Sequence, residues 1–163
     1  METMTIVIIC LIVLVVLFAA AYLTNRRYGI LGLSLAAGSI LSGHLTNDVA
    51  MRAREQGIEI ASPLLFSLSA TLLILLPAVM LFFNGPSYKS THHRVIGALL
   101  FASLAVAFLI EPLQSILVLE GEAREVYDFF LENRIYIITI GLVAAVVDLL
   151  LTKTPRVKPK GKH

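Results

Sequence analysis

Pro63–Phe83 reads PLLFSLSATLLILLPAVMLFF, a stretch with no charged residue. A helix needs about 20 apolar residues to cross a hydrocarbon core about 30 Å thick, so this segment alone has the length of a membrane span. Working outward, similar stretches lie at Met4–Leu23, Gly29–Leu45, Val95–Leu117 and Ile135–Leu151. Lipid offers no partner for backbone N–H and C=O groups, so each is expected to be helical. Apolar residues make up 58% of the chain and charged residues 15%, a balance that suits a polytopic membrane protein better than a water-soluble domain. The expected fold is therefore all-α: a membrane bundle of five transmembrane helices over residues 1–152, followed by a basic, disordered tail over 153–163.

The charges divide by face. Arg26 and Arg27 follow the first span, Lys89 and Arg94 follow the third, and Lys153, Arg156, Lys158, Lys160 and Lys162 follow the fifth. These nine basic residues fall on one face, against Arg52, Arg54, Arg124 and Arg134 on the other. The positive-inside bias then predicts an external N-terminus and a cytoplasmic C-terminus. The first span has Glu2 and no basic residue ahead of it, and Tyr22 and Leu23 continue the apolar run past Ala19–Ala21. It therefore reads as a retained anchor rather than a cleaved leader. Cys10 is the only cysteine, which excludes an intramolecular disulfide.

The connection Thr24–Tyr28 is short, so the first two spans are expected to form an antiparallel hairpin. Span two is dense in small residues, with Gly32/Ala36, Ser34/Gly38 and Ser39/Gly43 at small-xxx-small spacing. It is the expected central helix. Gly32, Gly38 and Gly43, with Gly97 in span four, are the candidate packing glycines; a glycine-lined substrate groove is the other reading. Pro77 inside span three predicts a kink, and Asn84-Gly85-Pro86-Ser87 a turn. Span four meets Glu111-Pro112, where the helix either kinks and continues to Leu119 or ends. From Glu120 to Asn133 the chain is charged, with Val126, Phe129 and Phe130 at helical spacing, which predicts an amphipathic interfacial helix before the last span.

Ionisable side chains inside spans are costly and so become functional candidates. Glu111 lies about 24 Å along span four and His44 about 22 Å along span two, at a rise of 1.5 Å per residue. Both reach the same depth near the outer interface, with Asp48 one turn beyond His44. His44, Asp48 and Glu111 therefore form a candidate polar cluster, the alternative being separate headgroup-level residues. Asp148 lies near the other face, where Arg26, Arg27 or Lys153 are its expected partners. His92, His93 and His163 have no carboxylate or cysteine at ligand spacing. Phosphate loops, G-x-S-x-G elbows and H-E-x-x-H pairs are absent. No enzyme, cofactor, metal or nucleic-acid role is expected. Lys153, Arg156, Lys158, Lys160 and Lys162 are candidate contacts to anionic lipid, or act as a topology signal alone.

The turn Arg26-Arg27-Tyr28-Gly29, the small-residue span after it, and Arg94-Val95-Ile96-Gly97-Ala98-Leu99-Leu100 opening the fourth span together resemble the colicin V production protein family over about Thr5–Leu117. Phe101, Ala102 and Ser103 stand where that family's repeated glycine is usual, and the fifth span and its tail extend beyond the family pattern. The resemblance implies a bacterial inner-membrane protein accessory to bacteriocin (toxin) production or export, or to envelope homeostasis. It brings no catalytic residues. The expected partners are the bilayer and a second copy or another membrane protein. A small transporter or channel component using the outer polar cluster is the competing expectation.

Overall fold

In the computed structural model, residues 2–58, 60–84, 91–114 and 122–151 are described, and the elements among them are helices. They are α1 (Glu2–Thr24), α2 (Tyr28–Glu55), α3 (Ser62–Asn84), α4 (Thr91–Gln114) and α5 (Glu122–Leu150). Four stretches are long and apolar enough to cross a membrane: Tyr28–Glu55, Ser62–Phe83, His92–Gln114 and Tyr127–Leu150. In α1 the shorter stretch Ile12–Thr24 is apolar. Residues 85–90, which hold most of the turn expected at Asn84-Gly85-Pro86-Ser87, the segment 115–121 and the residues after Leu151 lie outside the described residues.

Each helix end has a local cause. Thr24 donates its hydroxyl to the Ala20 carbonyl at 2.7 Å, and Asn25 then enters the left-handed region (φ 58°), a helix-ending conformation that asparagine tolerates. α2 ends at Glu55, and Gly57 just beyond its cap is also left-handed (φ 85°), its N–H donating to the Arg54 carbonyl at 2.9 Å. Arg52 and Arg54 in that last turn complement the negative end of the helix dipole. The start of α2 is unusual, because Arg27 at its N-cap provides no side-chain cap. The carboxylate of Asp148, from the far end of α5, accepts the Gly29 N–H at 2.9 Å instead. A distant residue thus supplies the capping acceptor and the negative charge that a helix N-terminus favours.

The bundle is organised around α4, which touches all four other helices, whereas α2 touches α3, α4 and α5. α2, the expected central helix, shares that position, with Leu31, Gly32, Leu35 and Gly38 among its buried residues. Tyr28, Leu31, Leu35, Phe101 and Leu104 are fully buried where α2 meets α4, and the Phe101 ring meets Phe82 edge-on at 5.6 Å. The expected hairpin of the first two helices is corrected. Among the described residues α1 and α2 make no contact, although three residues join them. Two arginines account for this. Arg94 at the start of α4 stacks on the Tyr22 ring at 4.1 Å and donates to the Tyr22 carbonyl at 2.5 Å, holding α1 against α4. Arg26 in the link donates to the Phe82 and Phe83 carbonyls at 2.8 and 2.7 Å, drawing the chain to the end of α3.

A second difference concerns the segment before the last span. α5 runs unbroken from Glu122 to Leu150, so the separate interfacial helix expected over Glu120–Asn133 is the opening part of α5 wherever it is described. Glu122 to Ile140 contains neither glycine nor proline, so nothing in the backbone interrupts the helix. α4 continues past Pro112 to Gln114, so the helix does not end at the proline, and the stretch on to Leu119 lies outside the described residues.

Candidate functional site

Glycines set how closely the helices approach. A Cβ at Gly32 would lie 3.0 Å from that of Ala145, and one at Gly29 would lie 2.6 Å from the Ala145 carbonyl oxygen. α2 and α5 are therefore pressed together at the Tyr28 end. There the Tyr28 hydroxyl donates to the Gly141 carbonyl at 2.6 Å inside the core. A Cβ at Gly38 would strike the Ile74 carbonyl of α3, with the carbonyl carbon at 2.8 Å. Ile74 sits in the turn before Pro77, where proline interrupts the backbone ladder. Gly97 is buried. Gly43 is a correction: a Cβ there would meet nothing within 4 Å, so it faces outward and packs against no helix.

Further along, α2 stays against α3 and leaves α5. Arg54 of α2 donates to the Ser62 hydroxyl at the start of α3. α5 remains tied to α4 through the Tyr127 hydroxyl, which donates to the Ile110 carbonyl at 2.7 Å. Ser67 of α3 donates to the Pro112 carbonyl, so the last turn of α4 is clasped from both sides. Between α2 and α5, above α4, a crevice of about 230 Å³ opens. Ser39 lines it from α2, Ala107, Phe108 and Glu111 from α4, and Arg134, Ile135, Ile138 and Thr139 from α5.

Glu111 and Arg134 hold the crevice's charge, with Arg134 Nη1 2.5 Å from Glu111 Oε2. The side chains are 66% and 30% exposed respectively, so the pair adds only about 0.2–1 kcal/mol to stability. Its main consequence is to place a cation and an anion side by side at one mouth. The two hydroxyls of the crevice differ from those buried along α2. Ser34 donates to the Leu31 carbonyl, Thr46 to the Ser42 carbonyl, and Ser42 pairs with Thr46. Ser39 and Thr139 make no side-chain hydrogen bond among the described residues.

The expected cluster of His44, Asp48 and Glu111 is not assembled. Among the described residues no hydrogen bond or ion pair joins His44 or Asp48 to Glu111, and both are exposed. Depth alone suggested the cluster, but direction around the helix decides it. At 3.6 residues per turn, the buried stripe of α2 through Tyr28, Leu31, Leu35, Gly38 and Ser42 lies nearly opposite His44 and Asp48. Ser39 lies beside that stripe, and Glu111 turns to α5. In the sequence Arg134 reads only as a topology charge. The signal that could have found it was present: it ends the charged segment at the depth where span four reaches Glu111.

At the other end Asp148 meets Arg27 at 3.6 Å, one of the three partners expected, in addition to capping Gly29. Lys153, Arg156, Lys158, Lys160 and Lys162 lie outside the described residues. Among the described residues no group of three or more His, Cys, Asp or Glu side chains comes together as a metal site. Comparison with protein-family models, with curated proteins and with solved structures gave no match.

Proposed function

We propose that this chain is a non-enzymatic multi-pass protein of a bacterial inner membrane, with all five helices crossing the bilayer, the N-terminus outside and the C-terminus in the cytoplasm. Its role is accessory, of the kind the resemblance to colicin V production proteins implies: bacteriocin production or export, or envelope homeostasis. It acts through its helix faces on a membrane partner or a second copy. α5 buries the smallest share of its apolar stretch of the four long spans, which leaves that helix the most surface for lipid or a partner.

The observation that carries the accessory reading is the closure beneath the crevice. Tyr28, Leu35 and Leu104 fill the space below it, and a Cβ on Gly141 would already lie 2.9 Å from Leu104. Of the buried hydroxyls, those of Ser34, Ser42, Thr46 and Ser67 are taken up by the protein, and Ser69 stands alone without a side-chain hydrogen bond among the described residues. Such a core offers a travelling solute no row of open polar groups. Reporter fusions test the topology: those at Gly85 and the C-terminus should read cytoplasmic and those at Gly57 and Gly121 external, and a cytoplasmic signal at Gly57 would overturn it.

The crevice itself favours a second reading, a small transporter component with Glu111 as its working group. Glu111→Gln separates the two. The accessory reading expects normal expression and an intact envelope phenotype in a complementation assay. The transporter reading expects pH-dependent flux in proteoliposomes that the substitution abolishes.

A further inference from the structure

The crevice between α2 and α5 has three properties together. Its mouth presents a carboxylate beside a guanidinium, apolar side chains flank two hydroxyls on its walls, and it opens sideways. Ile135, on the α5 wall, is 66% exposed, and Thr139 one turn further is also exposed, so the opening faces the surroundings of the bundle. Arg134 uses one nitrogen on Glu111 and Glu111 uses one oxygen, which leaves further guanidinium donors and a carboxylate oxygen for another molecule. Ser39 and Thr139 add two hydroxyls with no side-chain hydrogen bond among the described residues. Thr139 lies about 7.5 Å further along α5 than Arg134, at 1.5 Å per residue.

On the membrane reading above, this order along the helix axis matches a phospholipid. Charged groups come first, hydrogen-bonding hydroxyls come below at the depth of ester oxygens, and apolar side chains flank both. We infer that the crevice is a headgroup site for an outer-leaflet phospholipid carrying both a primary ammonium and a phosphate. Arg134 receives the phosphate, because a guanidinium binds it through paired charge-assisted hydrogen bonds. Glu111 receives the ammonium. Ser39 and Thr139 donate to the ester oxygens, and Phe108, Ile135 and Ile138 take the start of the acyl chains. A headgroup with phosphate alone leaves Glu111 repelling it, and a trimethylated ammonium has no N–H to give the carboxylate. The site therefore discriminates among lipids of identical chains.

The test is retention of lipid by the detergent-purified full-length protein, measured by native mass spectrometry. Phosphatidylethanolamine, phosphatidylglycerol and phosphatidylcholine of matched chains are compared, with soluble phosphoethanolamine as competitor. The wild type should retain the ethanolamine lipid about tenfold better than either other, the scale of one charge-assisted hydrogen bond. Glu111→Gln should erase the preference for ethanolamine over glycerol headgroups while keeping binding to both. Arg134→Gln should weaken both about tenfold, since the phosphate contact is common to them. Thr139→Leu, an exposed change that fills the crevice, should lower retention of all three and serves if a charge variant fails to fold. Equal retention of the three lipids by the wild type would overturn the site, as would unchanged selectivity in Glu111→Gln. Competition by soluble phosphoethanolamine at the lipid's own concentration would overturn the lipid as source and leave a free zwitterion. A protein that stays in solution without detergent would instead refute the membrane reading, whereas one extracted by detergent but showing no headgroup preference refutes only the site.

Discussion

The two ends of this bundle use the same kinds of residue to opposite effect. At the Tyr28 end, glycines let α2 and α5 touch, and an acid and an arginine close the contact: Asp148 caps α2 and meets Arg27, both less than one-fifth exposed. At the far end an acid and an arginine also pair, but Glu111 and Arg134 are more exposed and sit at the mouth of a gap. What separates the two is the helix spacing beneath each pair. Small residues facing each other bring the backbones close enough for a carboxylate to reach a helix N-terminus. Where Ser39 and Ile138 replace them, the same chemistry faces outward and holds no helix in place.

The largest effect should come from the tightest approach. Gly38→Leu places a side chain on the Ile74 backbone, and overpacking of this kind costs about 1–3 kcal/mol or more. The expected outcome is a collapse of folded yield or a large drop in detergent melting temperature. Wild-type stability would mean that α2 and α3 are not in register as described. Next comes Asp148→Ala, which removes the acceptor at Gly29 and the partner of Arg27. Its expected cost in a reversible unfolding titration is about 2 kcal/mol, the scale of a hydrogen bond to a charged group.

Glu111→Gln sharpens the contrast between the ends. The exposed pair should cost under about 1 kcal/mol in the same titration, less than Asp148→Ala. Equal losses would show that the two ends are fastened alike. Smallest of all is Gly43→Leu, which enters open space and should shift stability by no more than about 0.5 kcal/mol.

Long apolar stretches such as Pro63–Phe83 made the helices legible in the sequence, because length and the absence of charge are local properties. The arrangement was less legible. The three-residue link at Asn25–Arg27 fixes only adjacency along the chain, while Arg94 under Tyr22 decides which helix α1 lies on. Counting residues along a span places His44 and Glu111 at one depth, but depth carries no direction. Gly38 and Gly43 look alike in a small-residue pattern. They differ in that Gly38 shares the stripe of Leu31, Leu35 and Ser42 and Gly43 does not. The continuity of α5 is legible in the lack of glycine and proline from Glu122 to Ile140, whereas the change from charged to apolar residues suggests a boundary that the backbone does not have.

The central claim is that α2 and α5 are in contact at one end and parted at the other, and paired cysteines test it most directly. In a background carrying Cys10→Ser, Gly32→Cys with Ala145→Cys tests the closed end. Moving seven residues along each helix in the antiparallel register gives Ser39→Cys with Ile138→Cys at the crevice. The Cβ positions of the first pair are 3.0 Å apart, slightly inside the usual range for a disulfide, about 3.5–4.5 Å. Under mild oxidation in native membranes, the account predicts rapid cross-linking of the first pair and little of the second. A Ser39/Ile138 cross-link forming as fast as the Gly32/Ala145 one would contradict it, because the helices would then be packed along their whole length.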